Sequence, residues 1–344
     1  MGAEFSPPPF MGGAGGGRTR AMISMRRLNL ILLAVATLVL FLMFRHIDWP
    51  ALVHALSQGG YYWPLLILPY GLTCYLWSLS WRSLLLHNVS CPSLRRLFFV
   101  RLAGDSLNQL TPTASLGGEP FKALRLQADG VAWQDATVSL VIHKALMVLS
   151  LVLYILLSLA LIPIALPGIS HRLAPFCGFG TLLLAAGGIG FVIVQRRNPC
   201  ISFMRLLQRF GICPAALVAK EAELANLDAL LAGFYREHPR ACLNSLLFFL
   251  LGWAAHALEV YLIFWLMGHP ISFGMALCLD GLSQLMAGLG FMIPVSLGVQ
   301  DGGNILLSLG FNLGATLGAG FSILRRFREA FWLLLGLVVV AREK

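Results

Sequence analysis

Charge is scarce in this chain, and acid is scarcer than base. Asp, Glu, Lys and Arg make up 12% of the 344 residues, against about 25% in a soluble domain. Long polar stretches are lacking as well. The longest, Gln195 to Arg240, leaves no room within these residues for a separate soluble catalytic domain. The seven cysteines (Cys74, Cys91, Cys177, Cys200, Cys213, Cys242 and Cys278) form no CxxC pair and no His–Cys ligand spacing. They read as small buried thiols rather than a metal or disulfide framework. There is no phosphate-cradling loop, no Ser-His-Asp arrangement and no metal-ligand spacing. Neither a cofactor nor a metal is therefore expected, and the chain is not expected to be an enzyme.

Apolar side chains dominate instead. They account for 58% of the chain, and the mean hydropathy is +0.79. Several apolar runs reach the roughly 20 residues that cross a bilayer. The 25 basic residues outnumber the 15 acidic ones, for a net charge of +10. Much of the excess falls between spans. Arg18, Arg20, Arg26 and Arg27 precede the first, Arg82, Arg95, Arg96 and Arg101 follow the second, and Arg196 and Arg197 follow the fourth. Basic clusters at span ends mark the cytoplasmic side. This placement also sets aside nucleic acid as a partner, since no soluble basic face is present.

The spacing predicts an all-α polytopic membrane protein with both termini cytoplasmic. Residues 1–27 form a disordered basic N-terminus. Residues 28–194 form a membrane half holding a first repeat at about 61–162, residues 195–240 a cytoplasmic amphipathic segment, and residues 241–341 a second, inverted repeat. About six full spans are expected: Leu28–Phe44, Tyr61–Ser80, Trp133–Leu161, Phe176–Val194, Ala241–Met267 and Gly314–Ala341. In the cytoplasmic segment Leu224, Leu227, Leu231 and Phe234 share one helical face, suited to the membrane surface or to the bundle. His54, His87, His171, His238 and His269 read as interfacial residues in loops or at span ends.

Two stretches are too polar and too interrupted for lipid-facing helices. Leu94 to Arg125 is broken by Asp105, Asn108, Gln109, Pro112 and Gly117-Gly118. Pro270 to Asn312 holds Asp280, Gln284, Pro294, Asp301 and Gly302-Gly303. Irregular backbone at membrane depth survives only inside protein or along a wet cavity, so both read as re-entrant hairpins. Their polar landmarks are in register. Pro112, Glu119, His143 and Lys144 map onto Pro294, Asp301, Arg325 and Arg326 by adding 182. Asp105 and Gln109 map onto Asp280 and Gln284 by adding 175, which places a seven-residue insertion before the second proline. Charge placement opens the first hairpin inward and the second outward, an inverted repeat of the kind from which transporters are built.

A charge at mid-membrane costs roughly 2.5–3.5 kcal/mol on insertion scales. Lys144, Arg325 and Arg326 lie deep in spans, and Glu259 lies within the fifth, sharing a helical face with His256. These residues, with Glu119, Asp280 and Asp301, must face one another or a polar cavity. One reading is ion pairs that lock the bundle, such as Glu119 with Lys144 or Asp301 with Arg326. The other is a binding site, with half-helix N-termini at the glycine pairs presenting N–H groups to an anion.

The segment Asn108-Gln-Leu-Thr-Pro112, then Gly117-Gly118-Glu119-Pro-Phe-Lys122-Ala-Leu-Arg125, resembles the flippase-like transmembrane family of lysylphosphatidylglycerol synthases, which includes membrane proteins of hopanoid gene clusters. The family's Asn-x-x-x-Pro and Gly-Gly-Glu-x-x-(Lys/Arg) pattern falls on Asn108, Pro112, Gly117, Gly118, Glu119 and Lys122. A second signature falls on Pro294, Gly298, Asp301 and Arg325 or Arg326. Two positions depart from the pattern: Asp301 stands where Glu is usual, and His143-Lys144 replaces an acid–base pair in the third span. The resemblance, over about residues 28–341, implies lipid translocation. In the synthases aminoacyl transfer belongs to a separate soluble domain. The expected partner is a membrane lipid: an anionic phospholipid or lipid-linked headgroup crossing a central polar cavity, with a lipid-biosynthesis enzyme as a further partner. The substrate-binding set is Asn108, Gln109, Gly117, Gly118, Glu119, Lys122, Arg125, Lys144, Glu259, Asp280, Gln284, Asp301, Arg325 and Arg326. An intramembrane lipid or polyprenyl transferase and a scaffold of a lipid-biosynthesis complex are the alternatives.

Overall fold

The computed structural model describes residues 48–86, 91–110, 117–165, 182, 185–191, 193, 195, 198–211, 213, 218–289, 296 and 298–342. The N-terminus (1–27), the Leu28–Phe44 span, Pro112, Pro294 and most of the Phe176–Val194 span lie outside these residues. Among the described residues the protein is all-helical. α1 is Trp49–Gln58, and a 3₁₀ turn, Gly60–Leu66, leads into α2, Ile67–Leu85. α3 (Leu94–Leu110) and α4 (Glu119–Ala128) are the two parts of the first interrupted element, and α5 (Trp133–Ala165) follows. Next come α6 (Pro199–Arg209), α7 (Glu221–Glu237) and α8 (Pro239–Leu266). α9 (Phe273–Leu289) and α10 (Val299–Gly310) are the parts of the second interrupted element, and α11 (Ala315–Arg342) closes the chain. The order helix, break, helix, long helix thus occurs twice. Two helices, Trp133–Ile164 and Pro239–Leu266, are long and apolar enough to cross a membrane by length and composition.

α1 was not anticipated, so His54 lies in a helix rather than a loop. Asp48 caps α1 by accepting from the Ala51 N–H at 3.1 Å. Its buried Leu52 packs with Ile305 and Ala319 of α10 and α11. α7 also settles on the bundle, because Leu231 and Phe234 join Ile142, Leu146 and Phe249 in one apolar cluster. Asp228 of α7 accepts from the Cys200 and Ile201 N–H groups at 2.9 and 3.0 Å, holding the start of α6. Burial and then the hydrogen bond to Asp228 push the Cys200 thiol up to about 12, so it stays protonated. The six described cysteines are all free, with Cys74 and Cys278 buried; Cys177 lies outside the described residues.

α2 and α8 pack closely and antiparallel, held by a seam of polar side chains. Thr73 donates to Gly252 O (3.1 Å) and Trp77 Nε1 to Phe249 O (3.3 Å). Ser80 and Ser245 share a hydrogen bond (2.7 Å), and Ser83 donates to Ala241 O (3.3 Å). Small residues permit this approach: a Cβ at Gly252 would overlap the Trp77 indole. Such interhelical bonds are worth about 0.6 kcal/mol each in a membrane. α5 lies against α8 and α9, and α11 packs along α3 and α10.

At the first break, a Cβ at Gly118 would overlap the Gly104 carbonyl oxygen. The obstacle is backbone, so it cannot swing aside. Gly118→Ala is expected to destabilise by about 1–3 kcal/mol, the usual cost of overpacking. A thermal melt in detergent checks this, and Gly310→Ala, where a Cβ meets open space, is the control.

Candidate functional site

The first break gathers charge from three helices. On α3, Arg101 and Asp105 stand one turn apart, and Arg101 Nη2 lies 2.7 Å from Asp105 Oδ2. Lys122, one turn into α4, brings Nζ within 2.8 Å of Asp105 and 3.1 Å of Glu119. Lys144 of α5 lies farther off, 3.9 Å from Glu119 Oε1. Asn108 joins the two parts of the broken element: it donates to Glu119 Oε1 (3.0 Å) and accepts from Gly118 N–H (2.7 Å). Here the half-helix N-terminus is taken up by the chain's own amide, and Glu119 adds a negative charge to that first turn, where the helix dipole favours it. Glu119 and Lys144 line a cavity of about 300 Å³ whose other walls are mainly apolar, with Gln195 beside them. Gln109 Oε1 is buried without a hydrogen-bond partner. Arg125 lies over the Phe121 ring at 5.3 Å.

The second break is more closed. Asp280 of α9 is wholly buried and takes a partner from each of three other helices: Tyr154 Oη of α5 (3.0 Å), His256 Nδ1 of α8 (2.9 Å) and the Arg325 guanidinium of α11. Gln284, one turn on, reaches the same carboxylate at 3.4 Å. Arg325 also donates to Ser283 Oγ (2.7 Å), which bonds Asn304 Oδ1 at 2.5 Å. Asp301 accepts from both Nε and Nη2 of Arg326, each at 2.9 Å, and caps its own helix by accepting from Gly298 N–H at 3.0 Å. Gly298 takes φ 82, a conformation glycine reaches at little cost. Arg326 is shared with Glu329 at 2.7 Å. A further pair, Glu259 with Arg328 (2.9 Å), ties α8 to α11, and the Arg328 guanidinium stacks over Tyr70 at 4.1 Å.

A family model described as the lysylphosphatidylglycerol synthase TM region matches residues 29–336. The chain belongs to this family. No curated protein matches it in a sequence search. Membership in the lysylphosphatidylglycerol synthase TM region family makes it a transmembrane protein with a membrane-lipid-related function. Against the family signatures, Asn108, Gly118, Glu119 and Lys122 come together in one cluster, and Asp301 meets Arg326 rather than Arg325.

The ion pairs expected at positions related by 182 are present, but they differ in tightness. Arg326 grips Asp301 with two hydrogen bonds, whereas Lys144 stands off from Glu119. His143, the counterpart of Arg325, meets no carboxylate among the described residues. Its ring bonds Trp77 O at 3.3 Å and packs against Trp81 and Phe249. Glu259 and His256 share a helix but serve different partners, Arg328 and Asp280. Arg101, counted above among boundary charges, is 3% exposed and belongs to the interior. Sequence reasoning also passed over Arg328, Tyr154, Ser283, Asn304 and Glu329. For Arg328 a signal existed: an arginine three residues past Arg325 lies on nearly the same face of the same span.

Proposed function

We propose that the protein moves an anionic phospholipid or lipid-linked headgroup across the membrane, binding it at the first helix break. The supporting observation is a charge imbalance. Among the described residues, Arg101, Lys122 and Lys144 pair there with Asp105 and Glu119, three cations with two carboxylates. At the second break Arg325, Arg326 and Arg328 face Asp280, Asp301, Glu259 and Glu329, so those arginines are already compensated. Attraction for a phosphate therefore concentrates at Lys144, with Glu119 balancing it when no cargo is bound. Acyl tails remain in the bilayer while the headgroup passes. Transport is downhill or ion-coupled, since the sequence has no nucleotide-binding motif.

In this proposal the chain carries six full spans and two re-entrant hairpins in an inverted repeat, with cytoplasmic termini in a bacterial inner membrane. The α3–α4 and α9–α10 elements are the hairpins, and the Glu119–Lys144 and Asp301–Arg326 pairs are equivalent positions. The α4–α5 turn then faces the cytoplasm and the α10–α11 turn the opposite side. Single cysteines at Gln127 and Asn312, in a cysteine-free background, are expected to react with an impermeant maleimide from opposite faces of oriented vesicles. Reaction of both from one face overturns the inverted repeat. Transport itself is tested by lipid movement between leaflets of proteoliposomes holding purified protein.

A further inference from the structure

Beside the first break, the cavity at Glu119 and Lys144 adjoins a second one. The second, about 190 Å³, is walled by Leu146, Leu149, Leu243 and Leu246 with Cys242 and Tyr235. The two share Ala145, Phe191 and Gln195, so they adjoin along α5. Together they reach the size of small-ligand sites, about 300–1,000 Å³. The arrangement has two ends of opposite character. One end holds Lys144 and Glu119. The other is hydrocarbon and meets Leu243, which is exposed on α8.

Two further facts narrow the occupant. The polar end belongs to the cluster in which, among the described residues, three cations meet two carboxylates. On the shared wall, Gln195 Oε1 is buried and accepts no hydrogen bond. A buried acceptor left empty costs about 1–3 kcal/mol, which a donor on an occupant would offset. Bilayer hydrocarbon alone offers neither a negative charge nor a donor.

Resting on the lipid-translocation reading, we infer that this trough seats one hydrocarbon chain of an anionic amphiphile. Its charged group lies at Lys144, and an O–H or N–H of the same headgroup donates to Gln195 Oε1. The trough therefore selects the cargo by chain and charge together, at a point before the headgroup crosses.

Cys242 reports on this trough, because its side chain lines the apolar end. The wild-type protein in phosphatidylcholine nanodiscs would be alkylated with a maleimide, and modification at Cys242 followed by peptide mass spectrometry. Dodecyl phosphate is expected to slow this labelling about tenfold at ten times its Kd, since protection follows 1 + [L]/Kd. Dodecyl maltoside and dodecyl phosphocholine should slow it far less. Lys144→Gln, whose melting temperature is checked in parallel, should erase the advantage of the phosphate. Equal protection by all three amphiphiles, no protection by any, or an unchanged preference in Lys144→Gln overturns the inference. The leaflet-exchange assay separates it from the transport reading. Protection without lipid movement sinks transport alone; lipid movement without selective protection sinks the trough alone.

Discussion

Asp280→Ala is expected to be the most damaging single substitution in the protein. Asp280 is wholly buried and its carboxylate meets Arg325, His256 and Tyr154 from three different helices. Removing one partner of a buried pair leaves the other charge without compensation, at a cost of about 3–5 kcal/mol. Arg325, 2% exposed, has no route to water. Little folded protein should survive detergent extraction, and what does should melt far below wild type. Asp301→Ala should cost less, because Arg326 retains Glu329 at 2.7 Å and is itself 22% exposed. The double variant Asp280→Asn with Arg325→Gln should recover part of the loss, since no uncompensated charge remains. Melting temperatures of the set check this; a mild Asp280→Ala phenotype contradicts a structural role for the second break.

Lys144→Gln and Glu119→Gln should show the converse: folded protein that moves lipid poorly. Lys144 is 26% exposed and stands 3.9 Å from Glu119, so that ion pair itself carries little native energy. A charge-assisted hydrogen bond to cargo is worth about 1.5–3 kcal/mol, and the rate should fall about tenfold or more, at 1.4 kcal/mol per decade. Lys144→Arg, which keeps the charge, should retain most of the activity. Glu119→Gln keeps its hydrogen bond with Asn108 in reach, so its melting point should shift little. If both variants lose thermal stability as Asp280→Ala does and transport normally per folded molecule, the first break is structural and the proposed binding role fails.

The helices at Trp133, Pro239 and Ala315 begin within two residues of the starts expected from hydropathy, because long apolar runs leave few choices of boundary. Both interruptions were legible too, since polar groups and glycine pairs in an apolar stretch have no stable lipid-facing form. The ion-pair partners were not. Asp280 collects ligands 126, 24 and 45 residues away in the chain, and which of Arg325 and Arg326 it meets depends on how α11 is rotated against α9. Neighbouring residues on a helix point about 100° apart, so a small rotation exchanges them. Arg101 illustrates the opposite failure. Read linearly it extends a basic cluster of Arg95 and Arg96, yet one helical turn farther along α3 carries it from the bundle edge to the interior beside Asp105. Where a span over Tyr61–Ser80 was expected, a 3₁₀ turn takes Gly60–Leu66 and the α-helix runs Ile67–Leu85, a division that hydropathy does not register.

The close passage of α11 over α3, where a Cβ at Gly336 would overlap Ser106, has a bearing on how the protein is made. Ser106 leaves the ribosome 230 residues before Gly336. At about 5–20 residues per second, α3 waits on the order of ten to fifty seconds for the surface it finally packs against. In that interval its buried charges must be satisfied locally. Asp105 finds Arg101 four residues back and Lys122 seventeen residues on, so the first broken element can neutralise itself inside the insertion machinery. Asp280 must wait for Arg325, but only 45 residues separate the two, so that wait is short. The order of the two elements along the chain thus places the self-sufficient one first.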